Sequence, residues 1–461
     1  MGSYPNLLGV IMRVLLLGFE YLPVKVGGLA EALTSLANAL AELGHEVLVF
    51  TPSHGRFAGQ SLGVKVRAFG EIVPLTVHEE GDNPRVFRLG GGLLDSGDVY
   101  GPGWEGLLRK AVLFGKASVA LLNELLKEEE LPNVVHFHDW HTVFAGALIK
   151  KHFRIPAIFT IHRLNKAKIP AYYFHEAGLP ELAPYPDIDP EHAGGYFADI
   201  VTTVSRGYLL DEWGFFRNFE GRVTYVFNGI DCSFWSEACL EGSRCDRKQR
   251  ILEKLGLEDG VMFMFIGRFD RGQKGVDVLL RAIEMLAERH PREFRQMKFI
   301  IIGKGDPELE KWAKVLAERF PNVKTITEML SREFVRGLYG SVDFVIVPSY
   351  FEPFGLVQME AMCLGAIPIG SAVGGIRDTV ITLDDNPESA TGFLVPPGSV
   401  EALVDAILRA FKLYVENPSL IEKLRENGKK RAKEFTWERA ARRYLRAYKG
   451  SVDRAFEFIV E

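Results

Sequence analysis

Apolar positions along the chain take two forms, short continuous runs and longer stretches where they return every three or four residues. The run Arg13–Leu17 reads as a buried strand. A loop over 19–26 follows, ending in Gly27 and Gly28. Leu29, Leu33, Leu36, Leu40 and Leu43 then recur at alternating steps of four and three, which is one face of a helix. Gly44 is expected to close that helix from the C′ position, and 46–51 to form the next strand. Strand, helix and strand in this order predict a right-handed parallel crossover. The alternation continues through strands at Val134–His138, Ala157–Ile161, 200–204 and 223–227, with helices at 104–126 and 142–152. After a turn-rich stretch at 228–231 it restarts. Strands are expected at Val261–Ile266, 298–302, Val323–Ile326, Phe344–Val347 and 366–369, with helices near 275–290, 307–320 and 355–364. The architecture repeats although the residues do not. Two doubly wound α/β domains joined near Asn228–Asp231 follow from this pattern.

The chain has 461 residues, 47% of them apolar, which is enough material for more than one core. Its 55 lysines and arginines against 60 aspartates and glutamates leave a formal charge of −5. That balance speaks against a whole-chain nucleic-acid or anionic-membrane binder, while a local basic cleft stays open. No apolar run approaches the roughly 18–20 residues of a membrane span. Residues 1–12 show no basic, then apolar, leader. Gly2 follows Met1, but Asn6 stands where the myristoylation pattern needs Ser or Thr. Cys232, Cys239, Cys245 and Cys363 form no CxxC pair and are expected as free thiols. These features predict a cytoplasmic, multidomain protein with neither nucleic acid nor membrane as partner.

Ligands of open α/β sheets lie beyond the carboxyl ends of the strands, and the unusual polar residues gather there. Lys25, Val26, Gly27 and Gly28 separate the first strand from the first helix. Paired glycines let the backbone approach a phosphate, and a helix N-terminus offers free N–H groups. A tight turn with a solvated lysine fits the same residues. Val261–Ile266 leads to Gly267 and Arg268, then to Asp270, Gln273, Lys274 and Gly275 before a helix. A cation at a helix N-terminus opposes the macrodipole, and a diphosphate bound by Lys274 and Arg268 would offset that cost. An exposed cationic loop is the plainer reading. The third segment runs from Ser349 through Glu352, Pro353, Phe354, Gly355 and Leu356 to Glu360. Glu360 is the lone charge on an otherwise apolar helix and needs a partner or a ligand. Five residues at about 1.5 Å each put it roughly 7.5 Å beyond the helix tip, the separation of a diphosphate from its ribose. His136, His138, Asp139 and His141 are ligand types, but their spacing specifies no site, so no metal is expected.

Together these segments resemble the ordered motifs of the glycogen and starch synthases, retaining glycosyltransferases of the GT-B fold. Lys25 to Leu29 resembles their K-x-G-G-L signature, and His138, Asp139, Trp140 and His141 their H-D-W-H segment. Asn228, Gly229, Ile230 and Asp231, with Phe234 and Trp235, resemble the interdomain N-G-I-D segment. Arg268 with Lys274, Glu352 to Leu356, and Gly374 with Gly375 complete the order. Phe435, Thr436 and Trp437, with Tyr444 and Tyr448, resemble the closing helix. The resemblance spans almost the whole chain. It implies two Rossmann-like doubly wound domains facing a deep interdomain cleft: 1–228 on the acceptor side, 229–435 on the nucleotide-sugar side, and a helical tail, 436–461, crossing back to the first. It also implies Glu352, Lys274, Arg268, His162 and Asp139 as catalytic residues. Lys25, Gly27, Gly28, Gly355, Leu356 and Glu360 are implied as donor-binding residues. Two positions depart from the pattern. Glu360 supplies an acid that starch-type synthases usually lack, and Arg163 follows His162 where they usually have Asn. Both bear on the nucleotide and acceptor rather than on the fold.

The resemblance implies transfer of glucose from ADP-glucose or UDP-glucose to the non-reducing end of an α-1,4-glucan such as glycogen, with retention and without a cofactor. A GT-B enzyme acting on a small sugar or sugar-phosphate acceptor is the second expectation. A two-lobed sugar-binding protein is a third class, disfavoured by the missing export signal and by carboxylates set beside cationic loops. The stretch 170–190, with Tyr172, Tyr173, Phe174 and Tyr185, is either an acceptor groove or a packed surface loop.

Overall fold

The computed structural model describes residues 11–460, with side-chain surroundings to residue 452. The expectations drawn from Gly2 and Asn6 lie outside the described residues. The chain divides into two compact units. One holds the chain up to Val204, Trp213–Gly229 and the residues from Trp437 onward; the other holds Ser205–Glu212 and Ile230–Thr436.

The first unit is built on one sheet. Its order is Val223–Tyr225, Ile200–Thr203, Ala157–Ile161, Val134–His138, Arg13–Leu17, Glu46–Pro52, Arg85–Gly90, Glu71–Glu80 and Gln60–Ala68. The strands are parallel except for the last two, which add antiparallel. Arg13–Leu17 lies between Glu46–Pro52 and Val134–His138, so the order reverses there. Strands covered on both faces must be apolar throughout, and Val14 to Leu17 are fully buried. Helix Gly28–Glu42 buries Leu29, Leu33, Leu36 and Leu40, and Gly44 closes it at φ +87°, as expected. The final helix, Trp437–Val460, joins the same core through Ala440, Ala441, Tyr444 and Tyr448.

The second unit carries six parallel strands in the order Val323–Ile326, Met297–Ile302, Val261–Ile266, Phe344–Val347, Ile367–Ser371 and Phe393–Val395. The reversal falls at Val261–Ile266. Phe263 stacks on Phe299 and Phe344 with ring centroids 5.4 and 5.0 Å apart, which centres the core on that strand. Strand orders that reverse in this way open a crevice beyond the strand ends, where such sheets bind ligands.

In the first sheet three strands were not expected from the pattern, Gln60–Ala68, Glu71–Glu80 and Arg85–Gly90; nor were Phe393–Val395 in the second sheet and the short pair Ile169–Pro170 and Asp187–Ile188. The first two form the half-exposed edge of the sheet. The third buries Arg88, which pairs with Glu80 and lies 4.0 Å over the Phe57 ring. Among the described residues no helix is long and apolar enough to cross a membrane. All four cysteines are free thiols, with the Cys232 and Cys363 sulfurs 3.9 Å apart.

Candidate active site

In the second unit, the loops after the two strands at the reversal carry Arg268, Lys274 and Glu352. Asp270 shapes the first loop: its Oδ1 accepts from the Gln273 and Lys274 N–H groups at 2.7 and 3.0 Å. Gly275 follows at φ +64°, and a Cβ there would sit 2.0 Å from the Pro348 carbonyl oxygen. Only glycine lets the two loops touch so closely. The Tyr350 N–H then donates to the Gln273 carbonyl at 2.8 Å. This contact brings the Lys274 ammonium to Glu352 Oε2 at 2.6 Å. Lys274 therefore precedes helix Val276–Arg289 without being an uncompensated cation, contrary to the helix-dipole expectation. The Arg268 side chain is 63% exposed, donates to Gln273 at 3.0 Å and pairs with Asp270 at 3.6 Å.

The Glu352 loop rests on a second support. The Gly375 N–H donates to the Glu352 carbonyl at 3.1 Å, and a Cβ on Gly374 would meet that carbonyl oxygen at 1.9 Å. Gly355, at φ +84°, caps helix Leu356–Cys363, whose first amides point out of the fold's hydrogen-bond ladder. Glu360 on that helix is buried and accepts from the Tyr339 hydroxyl at 3.3 Å. It thus has at least one protein partner, which the apolar surroundings required.

In the first unit, the Val26 and Gly27 N–H groups donate to Glu20 Oε2 at 2.7 and 2.9 Å. Tyr100 donates its hydroxyl to the other oxygen of the same carboxylate. The amide cradle expected around Gly27 is therefore filled at two of its N–H groups by a carboxylate of the chain itself. The amides from Gly28 onward begin helix Gly28–Glu42. Lys25 pairs with Glu31 at 2.8 Å. Burial and the Glu20 charge hold the Tyr100 hydroxyl well above its usual range, with Asp139 adding to the effect.

Asp139 stands at φ +58°, ψ 167°, a backbone region almost restricted to glycine. The conformation turns its carboxylate toward the next strand's loop, where Oδ1 accepts from the His162 N–H at 2.7 Å. Burial pushes the Asp139 carboxyl up to about 7, against the opposing pull of the His162 and Arg163 amides. Burial lowers His162 to about 4. The His162 ring meets His138, Nε2 to Nδ1, at 3.0 Å. His136 is held by Thr160 at 2.6 Å and by Tyr448 at 2.8 Å. Among the described residues no three metal-ligating side chains assemble. In the aromatic stretch, Tyr172 and Tyr185 are exposed while Tyr173 and Phe174 are buried.

The structure thus joins Lys274 to Glu352, Asp139 to His162, and Gly27 to Glu20. It places Arg268, Lys25, Gly28, Gly355, Leu356 and Glu360 in their expected elements. Glu20, Tyr100 and His138 were not singled out as site residues. The short spacing of Glu20 from the paired glycines and the place of His138 in the H-D-W-H segment were visible in the sequence; the contacts of Glu20 with Tyr100 and of His138 with His162 close across long sequence separations.

Residues 13–216 match the family model described as starch synthase catalytic domain. Residues 247–431 match that of the group 1 glycosyl transferases. Glycogen synthases from Thioalkalivibrio sulfidiphilus and Opitutus terrae are each 30% identical, over 96% of this chain and 100% of theirs. Among solved structures, the catalytic domain of starch synthase IV from Arabidopsis thaliana, bound to ADP and acarbose, superposes with a TM-score of 0.82 at 23% identity. It covers 96% of this chain and 100% of its own. Sucrose-phosphate synthase from Thermosynechococcus elongatus shares the fold at a TM-score of 0.68 and 24% identity, covering 95% and 98%. The chain belongs to the glycogen synthase family and is a glycosyltransferase of the GT-B fold.

Proposed function

We propose that the protein transfers glucose from a nucleoside-diphosphate glucose, ADP-glucose or UDP-glucose, to the non-reducing end of an α-1,4-glucan in the cytoplasm, with retention at the anomeric carbon. The observation that carries this reading is 30% identity to glycogen synthases over essentially the full length of both chains. The first unit takes the acceptor and the second the donor. Departure of the nucleoside diphosphate concentrates negative charge on its outer phosphate. Arg268, Lys274 and the amides at Gly355 and Leu356 stabilise that charge more in the transition state than in the ground state. Glu352 holds Lys274 in position and accepts from sugar hydroxyls. Asp139 and His162 orient the sugar, Lys25 and Gly28 assist at the donor, and Glu360 accepts from the ribose beside Tyr339.

Incubation with ADP-glucose or UDP-glucose, with and without glycogen, tests the reading. Nucleotide release that depends on the polymer is expected, unchanged by EDTA. Release with a small sugar acceptor alone would favour the small-acceptor alternative, and no release with either would overturn the assignment.

A further inference from the structure

His138 ends its strand in a fully enclosed position, and its ring meets His162 edge to edge through Nδ1 and Nε2 at 3.0 Å. A hydrogen bond between two neutral imidazoles needs one N–H and one lone pair, so a single proton lies between them. Burial holds both rings far below the usual histidine range, which keeps each neutral near pH 7. Two arrangements are possible. If His162 donates from Nε2, the His138 proton must sit on its own Nε2. That nitrogen is buried and has no partner among the described residues. A buried N–H without an acceptor would result, a defect that folded proteins rarely keep. If His138 donates from Nδ1, its buried Nε2 carries only a lone pair, and the His162 proton moves to Nδ1.

We propose that His138 is a positioning residue that holds His162 as the Nδ1–H tautomer, so that His162 meets its ligand as a hydrogen-bond donor and not as a base. The partner geometry agrees. His138 and Asp139 are consecutive: one fixes the His162 ring and the other its backbone N–H, at 2.7 Å. The His138 ring is backed by His136 at 4.0 Å between centroids, itself tied to Thr160 and Tyr448. The Nδ1 of the part-buried His162 makes no hydrogen bond among the described residues, so its proton is free for a ligand oxygen. A ring in this state cannot take the proton of the attacking acceptor hydroxyl, so that proton must leave by another route. The inference rests on the proposed placement of His162 at the donor sugar only for its kinetic consequence; the tautomer is a property of the free protein.

The tautomer is read from long-range proton–nitrogen correlations of the full chain labelled with ¹⁵N-histidine, with His162 identified by its loss in His162→Ala. A protonated Nδ1 and bare Nε2 on His162 are expected, and the reverse would overturn the proposal. Kinetics supply the second readout. Asn places its amide donor near the Nδ1 position of the replaced ring, whereas Gln places it near Nε2. His138→Gln should lower kcat about 10–100-fold, the size of effect that follows loss of a partner orienting a metal-binding histidine. His138→Asn should recover most of that loss, with donor KM moving less than kcat in both. Equal losses in two variants that unfold at the same temperature would overturn the positioning role. Unchanged turnover in His162→Ala, with the tautomer as stated, would overturn the placement of His162 at the sugar instead.

Discussion

At Asp139 a non-glycine residue is held at φ +58° with its carboxyl buried, two costs at one position. Backbone strain of this kind amounts to about 1–3 kcal/mol and concentrates at functional sites. The carboxyl adds a pH dependence. Its value is raised to about 7 in the folded chain, from the ordinary 3.8, so the folded state binds more protons than the unfolded between these limits. Stability therefore falls as pH rises from about 4 to 7, and the full penalty remains above that. Asp139→Asn keeps an oxygen for the His162 N–H and removes the ionisation. It should raise the unfolding temperature above pH 7 and leave it nearly unchanged below pH 4, as followed by thermal unfolding across pH. The opposite order would place the carboxylate in a stabilising environment. Lys274 presents the complementary case. Its ammonium faces Glu352 at 2.6 Å and, in the proposed reaction, the leaving diphosphate. Removing one such electrostatic contact typically costs about 10²–10³ in kcat. Lys274→Ala should show that loss with a smaller change in donor KM, and near-normal turnover in steady-state assays would refute its role.

Between elements, the contacts that shape the site are those of loops held against one another. Gly374 stands at φ +41° with the Glu352 carbonyl where its Cβ would be, so Gly374→Ala must displace the loop that carries Glu352. Its kcat should fall by at least about tenfold, because misplacing a positioning group by about 1 Å can cost about 100-fold. Gly44→Ala provides the contrast: φ is +87°, but nothing lies within 4 Å of the added carbon. That change should lower stability by about 1 kcal/mol and leave kcat alone. A comparable kcat loss in both would mean that the Gly374 contact has no special bearing on catalysis. The same level separates what the sequence reveals from what it hides. Central strands such as Val261–Ile266 are buried on both faces, so a continuous apolar run identifies them. Gln60–Ala68 and Glu71–Glu80 present charged and half-exposed positions, and Arg85–Gly90 hides a buried arginine, so neither period nor run marks them. Lys274 and Glu352 were legible because charge and glycine interrupt apolar segments at strand ends. Glu20 acts through contacts made by the fold, with a partner as distant as Tyr100, and no local signal distinguishes it from an ordinary loop residue; His138 was legible as part of the H-D-W-H segment, but its contact with His162 was not.

Over the whole molecule, chain order and unit membership do not coincide: the last helix, Trp437–Val460, follows the second unit in sequence but completes the first. Ala440, Ala441, Tyr444 and Tyr448 pack with Leu33, Leu36, Leu40, Val14, Val134 and Ile158. Tyr448 also partners His136, and Tyr444 lies 3.4 Å from Thr160. Deleting the chain after Thr436 therefore removes two enclosed aromatic side chains from the first unit's core. Loss of a large buried aromatic costs about 3–5 kcal/mol, so two approach the about 5–15 kcal/mol that holds a typical domain together. They also leave His136 and Thr160 with one fewer partner each in a place where water would have to enter. The second unit's core around Phe263, Phe299 and Phe344 includes no residue of that helix among the described side chains, and the contacts within that core remain. The truncated chain should accordingly unfold in two steps, with the first unit's amides exchanging with deuterium far earlier than in the full chain. The amides of Val261–Ile266 and Phe344–Val347 should keep their protection. Uniform loss of protection in both sheets would show that the helix supports the molecule as a single cooperative body, and unchanged protection in the first sheet would show that its core does not depend on Tyr444 and Tyr448.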